Sequence, residues 1–118
     1  MNKIKQVNIL GTKYKILFSS EREDVKLKDI SGYCDYSIKL IVVKKIEEQD
    51  KTIMDLGDLD RIANRVLRHE IIHAFMYESG LWCNTVGCEN WATNEEMTDW
   101  FAIQSPKIFK VYKKLEVL

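Results

Sequence analysis

Residues 58–80 read DLDRIANRVLRHEIIHAFMYESG, and this stretch predicts the central helix of the protein. Asp58 can cap the amino terminus of the helix, and Gly80 can end it. Between these two residues, apolar or histidine side chains recur at steps of three and four positions, which is typical of one face of a helix. They are Leu59, Ile62, Val66, His69, His73 and Met76.

This helix carries a His-Glu-x-x-His motif at residues 69–73. Positions i and i+4 of a helix lie on one face, so His69 and His73 can bind a single zinc ion, each at about 2.0–2.1 Å. Glu70 would lie beside that ion, where it can take a proton from water that the metal activates. The chain has two histidines and the motif uses both. The alternative is that both are ordinary helix residues packed beside a core.

A catalytic zinc site needs a third protein ligand and an open fourth position. With no third histidine, the ligand must be a carboxylate or a thiolate. A second helix is predicted to begin near Thr93, with Thr93 and Glu96 forming a capping box. Glu95 is then free to turn toward the first helix, and Asp99 falls on the same face, where it can accept a hydrogen bond from a zinc-binding histidine. A solvated acidic helix start is the alternative.

The two motifs together, His69-Glu70-x-x-His73 and Asn94-Glu95-x-x-x-Asp99, resemble those of the gluzincin zinc peptidases, the thermolysin-like group. The resemblance implies that Glu95 is the third zinc ligand and that Asp99 supports a zinc-binding histidine. The second segment is also similar to that of the small ImmA/IrrE-type metallopeptidases of bacteria, phages and mobile elements, which are compact α+β domains. By that analogy the substrate is a specific partner protein, such as a repressor.

The resemblance covers about residues 58–106 and departs from the ImmA/IrrE pattern at two places. Ile72 stands where those peptidases often have glycine, and Thr98-Asp99 stands where they usually have Ala-Asn. Both departures concern the subfamily rather than the metal site.

The rest of the chain predicts an α+β fold, in which a small antiparallel sheet packs against the zinc-motif helix and the second helix. A hairpin is expected from Gln6–Leu10 and Lys13–Ser19 around a Gly11-Thr12 turn, with residues 20–28 as a loop or short helix. A third strand is expected at Ser37–Val43. Pro106 is expected to end or bend the second helix, and residues 107–115 to form a last short helix.

Length and composition indicate one soluble domain over residues 1–118. The chain has 46% hydrophobic and 31% charged residues, which argues against disorder. It has no apolar run long enough to span a membrane and no secretory signal, so we expect a cytoplasmic protein without membrane partners. Eighteen basic and eighteen acidic residues give a net charge of zero, which argues against a nucleic-acid partner.

The three cysteines allow a second interpretation of the metal site. Cys83 and Cys88 could complete a closed, structural Cys₂His₂ zinc site with His69 and His73. The simpler interpretation is that these cysteines and Cys34 are small packing residues.

The interpretation that the motifs favour is zinc-dependent hydrolysis of peptide bonds in a protein or peptide substrate. The Ser37–Val43 strand could hold that substrate by β-augmentation if it lies at the sheet edge. A donor for the oxyanion could come from Tyr33, Tyr36 or Tyr77. Six aromatic side chains of the two helices and the loop between them could line a substrate groove, but packing in the core is the favoured interpretation. They are Phe75, Tyr77, Trp82, Trp91, Trp100 and Phe101.

Two alternatives come from other classes of protein. One is a non-catalytic, zinc-stabilised interaction module that binds a regulatory protein. The other is a DNA-associated protein that uses the lysines of the C-terminal segment, which are Lys107, Lys110, Lys113 and Lys114.

Overall fold

The computed structural model describes residues 5–45, 59–83 and 94–118. A four-stranded mixed sheet packs against two long helices, which confirms the α+β class. The strands are β1 (Lys5–Ile9), β2 (Thr12–Ser19), β3 (Gly32–Asp35) and β4 (Leu40–Lys44). The helices are α1 (Leu59–Glu78) and α2 (Glu95–Lys114), and a short 3₁₀ helix spans Val25–Lys28.

The first hairpin turns one residue earlier than the sequence predicts. Leu10 and Gly11 form the turn, with φ of 51° and 93°, and Thr12 already belongs to β2. Two successive residues with positive φ match the right-handed twist of the flanking strands, which is why such turns dominate short hairpins. The backbone N–H of Gly11 also donates to Oδ1 of Asn8 at 2.7 Å.

The expected antiparallel sheet is wrong, because the sheet is mixed. The strand order is β1-β2-β4-β3, and β2 pairs with β4 in parallel, while the other two pairs are antiparallel. The predicted strand Ser37–Val43 begins only at Leu40, because residues 36–39 form the turn from β3. The strand order makes β4 an interior strand, and β3 and β1 lie at the two edges of the sheet among the described residues.

The main core lies between the sheet and α1. Its buried members come from three strands and the helix, and they are Ile9, Tyr14, Ile16, Ile41, Val43 and Ala74. Val42, on the other face of β4, is fully buried as well. Because both faces of β4 are covered, its sequence is a continuous apolar run rather than an alternating one.

Helix α1 ends as predicted, with Gly80 at φ 83° just after its last turn. The backbone N–H of Gly80 donates to the carbonyl of Tyr77, and that of Trp82 donates to the carbonyl of Met76, each at 3.0 Å. These bonds satisfy carbonyls that the helix itself leaves unpaired. Asp58, the expected cap at the other end, lies outside the described residues.

Helix α2 differs from the prediction at both its start and its middle. Its N-cap is Asn94, whose Oδ1 accepts from the N–H of Met97 at 2.8 Å, so Glu96 is not a capping-box partner. Thr93 lies outside the described residues. Of the two outcomes expected at Pro106, an end of the helix is wrong, because α2 runs through this residue to Lys114, and residues 107–114 belong to α2 rather than to a separate helix.

A contact from α1 compensates for the proline inside α2. Pro106 has no N–H, so the carbonyl of Ala102, four residues earlier, loses its helical partner. The Nε–H of Arg68 donates to this carbonyl at 2.5 Å. Nearby, Thr98 and Ala102 are fully buried, and such small side chains one turn apart let the two helices approach closely.

No helix in the described part of the chain is long and apolar enough to cross a membrane.

Candidate metal centre

Three predicted ligands from two helices meet at one point. Nε2 of His69 lies 3.0 Å from Nε2 of His73, because the two residues are one turn apart on α1. The carboxylate of Glu95, in the first turn of α2, lies with Oε1 3.2 Å from Nε2 of His69 and Oε2 2.8 Å from Nε2 of His73. The structure therefore brings together three predicted donors that lie up to 26 positions apart in the sequence.

Asp99 determines which nitrogen of His69 faces this point. Its Oδ1 lies 2.7 Å from Nδ1 of His69. A carboxylate can only accept, so Nδ1 carries a proton, and whenever the ring is neutral its Nε2 presents a lone pair. Asp99 reaches the ring because it lies one turn after Glu95 on the same face of α2, as the sequence predicts.

The donor set fits a divalent metal ion, and zinc is one that would suit it. Nitrogens at about 2.05 Å from a tetrahedral ion stand about 3.3 Å apart, close to the 2.8–3.2 Å separations among these three residues. Nε2 of His69 faces a carboxylate oxygen of Glu95 at 3.2 Å, and either a proton on this nitrogen or a metal ion between the two atoms makes the contact favourable. Burial also lowers the pKa of His73, which favours the neutral, ligating form of its ring.

Glu70 lies beside this point rather than within it. One of its carboxylate oxygens is 4.0 Å from Nε2 of His69, and the residue is only 7% exposed. Burial raises the pKa of Glu70 to about 7, since it disfavours the charged form; the charges of Glu95 and Asp99 act in the same direction, and His69 opposes them. His69, Glu70 and His73 form a group of potential metal-ligating residues within the described part of the chain.

Gly32, to which no sequence motif gave a role, lets α1 lie close to the edge of the sheet. A Cβ on Gly32 would lie 2.8 Å from the carbonyl oxygen of Val42, 2.8 Å from Cγ1 of Val66 and 3.6 Å from Cγ of Glu70. Glycine at this position therefore lets the edge strand β3 pass directly against the helix turn that carries Glu70. The only sequence signal for this role was that Gly32 precedes a strand.

A cleft runs along β3 past the three donors. One part, about 360 Å³, reaches Glu70, His73 and Glu95, and a second part, about 260 Å³, reaches His69 and Asp99. Both parts are lined by Ile30 and Gly32, and the larger part also by Tyr33 and Cys34, so β3 borders the larger part and its first residue reaches the smaller one. A further depression of about 520 Å³ follows β3 to Ser37.

The three tyrosines considered as oxyanion donors all line the larger part of this cleft. The hydroxyl of Tyr33 donates to Asp24, so it is already engaged. Tyr36 and Tyr77 instead stack on each other, with ring centroids 4.0 Å apart. Tyr36 and Tyr77 are therefore better placed than Tyr33 to meet a ligand in the cleft.

The favoured interpretation of the other aromatic residues as core is wrong for those that are described. Phe75, Trp82, Trp100 and Phe101 are 37–53% exposed, and Trp82 lines the cleft. The buried core between the sheet and α1 includes none of these four side chains. Trp91 lies outside the described residues.

The cysteines are not part of the donor group found among the described residues. Cys83 is exposed, and Cys34 lines the cleft from β3, where burial raises the pKa of its thiol to about 12. A thiol with so high a pKa stays protonated and unreactive at neutral pH. Cys88 lies outside the described residues.

Comparison of the chain with protein-family models, curated proteins and solved structures gives no significant match.

Proposed function

We propose that this protein is a zinc-dependent peptidase of the gluzincin type, with His69, His73 and Glu95 as its metal ligands. The observation that carries the proposal is the convergence of these side chains with Asp99 behind His69 and Glu70 beside the donors. Three protein ligands leave a fourth position open, which distinguishes catalytic from structural zinc sites. With an open position on the metal, Glu70 can act as a general base toward bound water, a function that a closed structural zinc site would not give it.

Zinc bound here would supply a Lewis acid that polarises the scissile carbonyl and acidifies water. Glu70 would accept the proton of the attacking water and deliver it to the leaving amine. Asp99 would hold His69 in the tautomer that keeps Nε2 free for the metal.

The peptide backbone would lie along β3, not along the strand named from the sequence. β4 is hydrogen-bonded on both sides, whereas β3 is the edge strand and lines the cleft. An edge strand offers unpaired backbone groups, which an extended peptide can use by adding itself to the sheet.

Metal content tests the first half of the proposal. Freshly purified protein should hold one equivalent of zinc, and His69→Ala and His73→Ala should lose it. Cys83→Ser is the matched control and should retain it, because Cys83 is not in the donor group. Thiolate charge-transfer bands in the cobalt-substituted protein would contradict the ligand set and support a closed Cys₂His₂ site.

Glu70→Gln tests the second half. The amide cannot accept a proton, so the variant should keep zinc and the fold while hydrolysis of a peptide library falls on the order of 10²-fold or more. Zinc binding without any hydrolysis by the wild type would instead indicate a zinc-stabilised interaction module.

A further inference from the structure

Three aromatic side chains line the cleft on the His73 side of the donors. Tyr36 follows β3, Tyr77 lies on the last turn of α1, and Trp82 follows that helix. We call these three residues the aromatic wall. The proposed function gives Trp82 no role, and gives Tyr36 and Tyr77 only that of candidate oxyanion donors, although all three share one cavity of about 360 Å³ with Glu70 and His73.

The aromatic wall is ordered by contacts within the protein. The rings of Tyr36 and Tyr77 stack at 4.0 Å, and the ring of Trp82 lies 5.0 and 5.8 Å from theirs. Nζ of Lys39 lies 4.8 Å from the centroid of the Tyr77 ring and is itself held by Glu78 at 2.8 Å. Rings that are already packed lose little conformational freedom when a ligand arrives.

The direction of β3 tells which part of a peptide would meet the aromatic wall. Gly32, at the start of β3, lies against Val66 and Glu70, whereas Tyr36, just after its end, stacks on Tyr77. β3 and α1 therefore run the same way along the cleft. A peptide added antiparallel to β3, the more stable pairing, would place its amino-terminal half beside Tyr36.

We propose that the aromatic wall selects substrates with a large apolar or aromatic side chain on the amino-terminal side of the cleaved bond. Such a side chain gains both apolar burial and the offset or edge-on ring contacts that aromatic pairs prefer. The proposal rests on the peptidase function, because it needs a cleaved bond to give the peptide its polarity.

A randomised peptide library tests the preference. Products of the zinc-loaded wild type should show Phe, Tyr or Leu before the cleaved bond, with at least about 10-fold preference over Ala. Tyr36→Ala and Tyr77→Ala should remove most of this preference, while Tyr112→Ala, an exposed tyrosine on α2, should keep it. A preference confined to the carboxyl side of the bond, or none, would overturn the proposal.

A binding measurement separates this proposal from the peptidase function itself. Two heptapeptide amides that differ only in a central Phe or Ala are titrated into zinc-loaded Glu70→Gln by calorimetry. The Phe peptide should bind at least about 10-fold more tightly, and adding Tyr77→Ala should abolish the difference. Equal binding of the two peptides would refute the aromatic wall as a specificity site, even if the wild type hydrolyses peptides. Selective binding without hydrolysis by the wild type would keep the wall as a recognition site and refute the peptidase.

Discussion

At the scale of single residues, Glu95 and Glu96 are adjacent carboxylates with different surroundings. Both side chains are exposed, but Glu95 lies within 3.2 Å of both histidines, whereas Glu96 has no such contact and does not cap α2, since Asn94 does. This difference argues for a ligand role of Glu95. If the two glutamates only stabilised the helix start through its dipole, both would contribute equally.

We therefore expect Glu95→Ala to weaken zinc binding by more than about 100-fold, and Glu96→Ala to leave it nearly unchanged. Asp99→Asn should lie between them, with a loss of about 10–100-fold, because it disturbs only the orientation of His69. Zinc titration against a chromogenic chelator measures all three. Metal loss in Glu96→Ala but not in Glu95→Ala would show that the assignment is wrong by one position.

Gly32 is a residue whose importance comes from close approach. Gly32→Ala should cost about 1–3 kcal/mol of unfolding free energy, because its Cβ would stand 2.8 Å from both the Val42 carbonyl oxygen and Val66. Adding Val66→Ala should restore part of the loss, since it removes the side-chain half of the clash. Urea unfolding checks both variants, and an unchanged midpoint for Gly32→Ala would contradict the packing described here.

At the scale of the elements, α2 continues through a proline because α1 supplies the missing donor. Replacing Arg68 by Met should cost about 1–2 kcal/mol in the wild type, because the carbonyl of Ala102 is then left without a partner. In a Pro106→Ala background the helix regains its own N–H, so the same replacement should cost less. A double-mutant cycle by urea unfolding measures this coupling, and strictly additive effects would exclude it.

At the scale of the whole molecule, Glu78 ties the sheet to α1. It accepts from the hydroxyls of Thr12 and Tyr14 at 3.0 and 2.7 Å and from Lys39 at 2.8 Å. These bonds lower the pKa of Glu78 below its ordinary value, and the bond from Lys39 has the largest effect. Burial, and then the hydrogen bond to this carboxylate, raise the pKa of Tyr14.

A carboxyl group with a lowered folded-state pKa binds its proton more readily when unfolded. Its contribution to stability is therefore complete above its unfolded pKa of about 4.3 and is lost as the pH falls through the lower folded value. Glu78→Gln should cost about 1–2 kcal/mol at neutral pH and progressively less below about pH 4. Thermal unfolding at several pH values checks this, with Glu116→Gln on the exposed chain end as control. A difference that does not depend on pH would contradict the charge-based account.

The sequence by itself determined α1, its end at Gly80 and the spacing that places His69 and His73 on one face, because helical periodicity and a C-terminal glycine are local signals. The spacing of Glu95 and Asp99 likewise predicted that they share one helix face, since residues four apart lie one turn apart on any helix. The start of α2 was misassigned because both Thr93 and Asn94 are good caps, and caps differ by only about 1 kcal/mol.

Only the tertiary structure decided which strand borders the donors. The four residues Gly32–Asp35 show no apolar periodicity, so β3 exists because β4 gives its backbone partners. Parallel pairing of β2 with β4 joins residues about 25 apart, and no local pattern encodes it. No local pattern encodes the hydrogen bond from Arg68 to the carbonyl of Ala102 either, because the donor belongs to α1 and the acceptor to α2. In each case the deciding interaction lies between groups distant in the chain, and its free energy becomes available only when the elements pack.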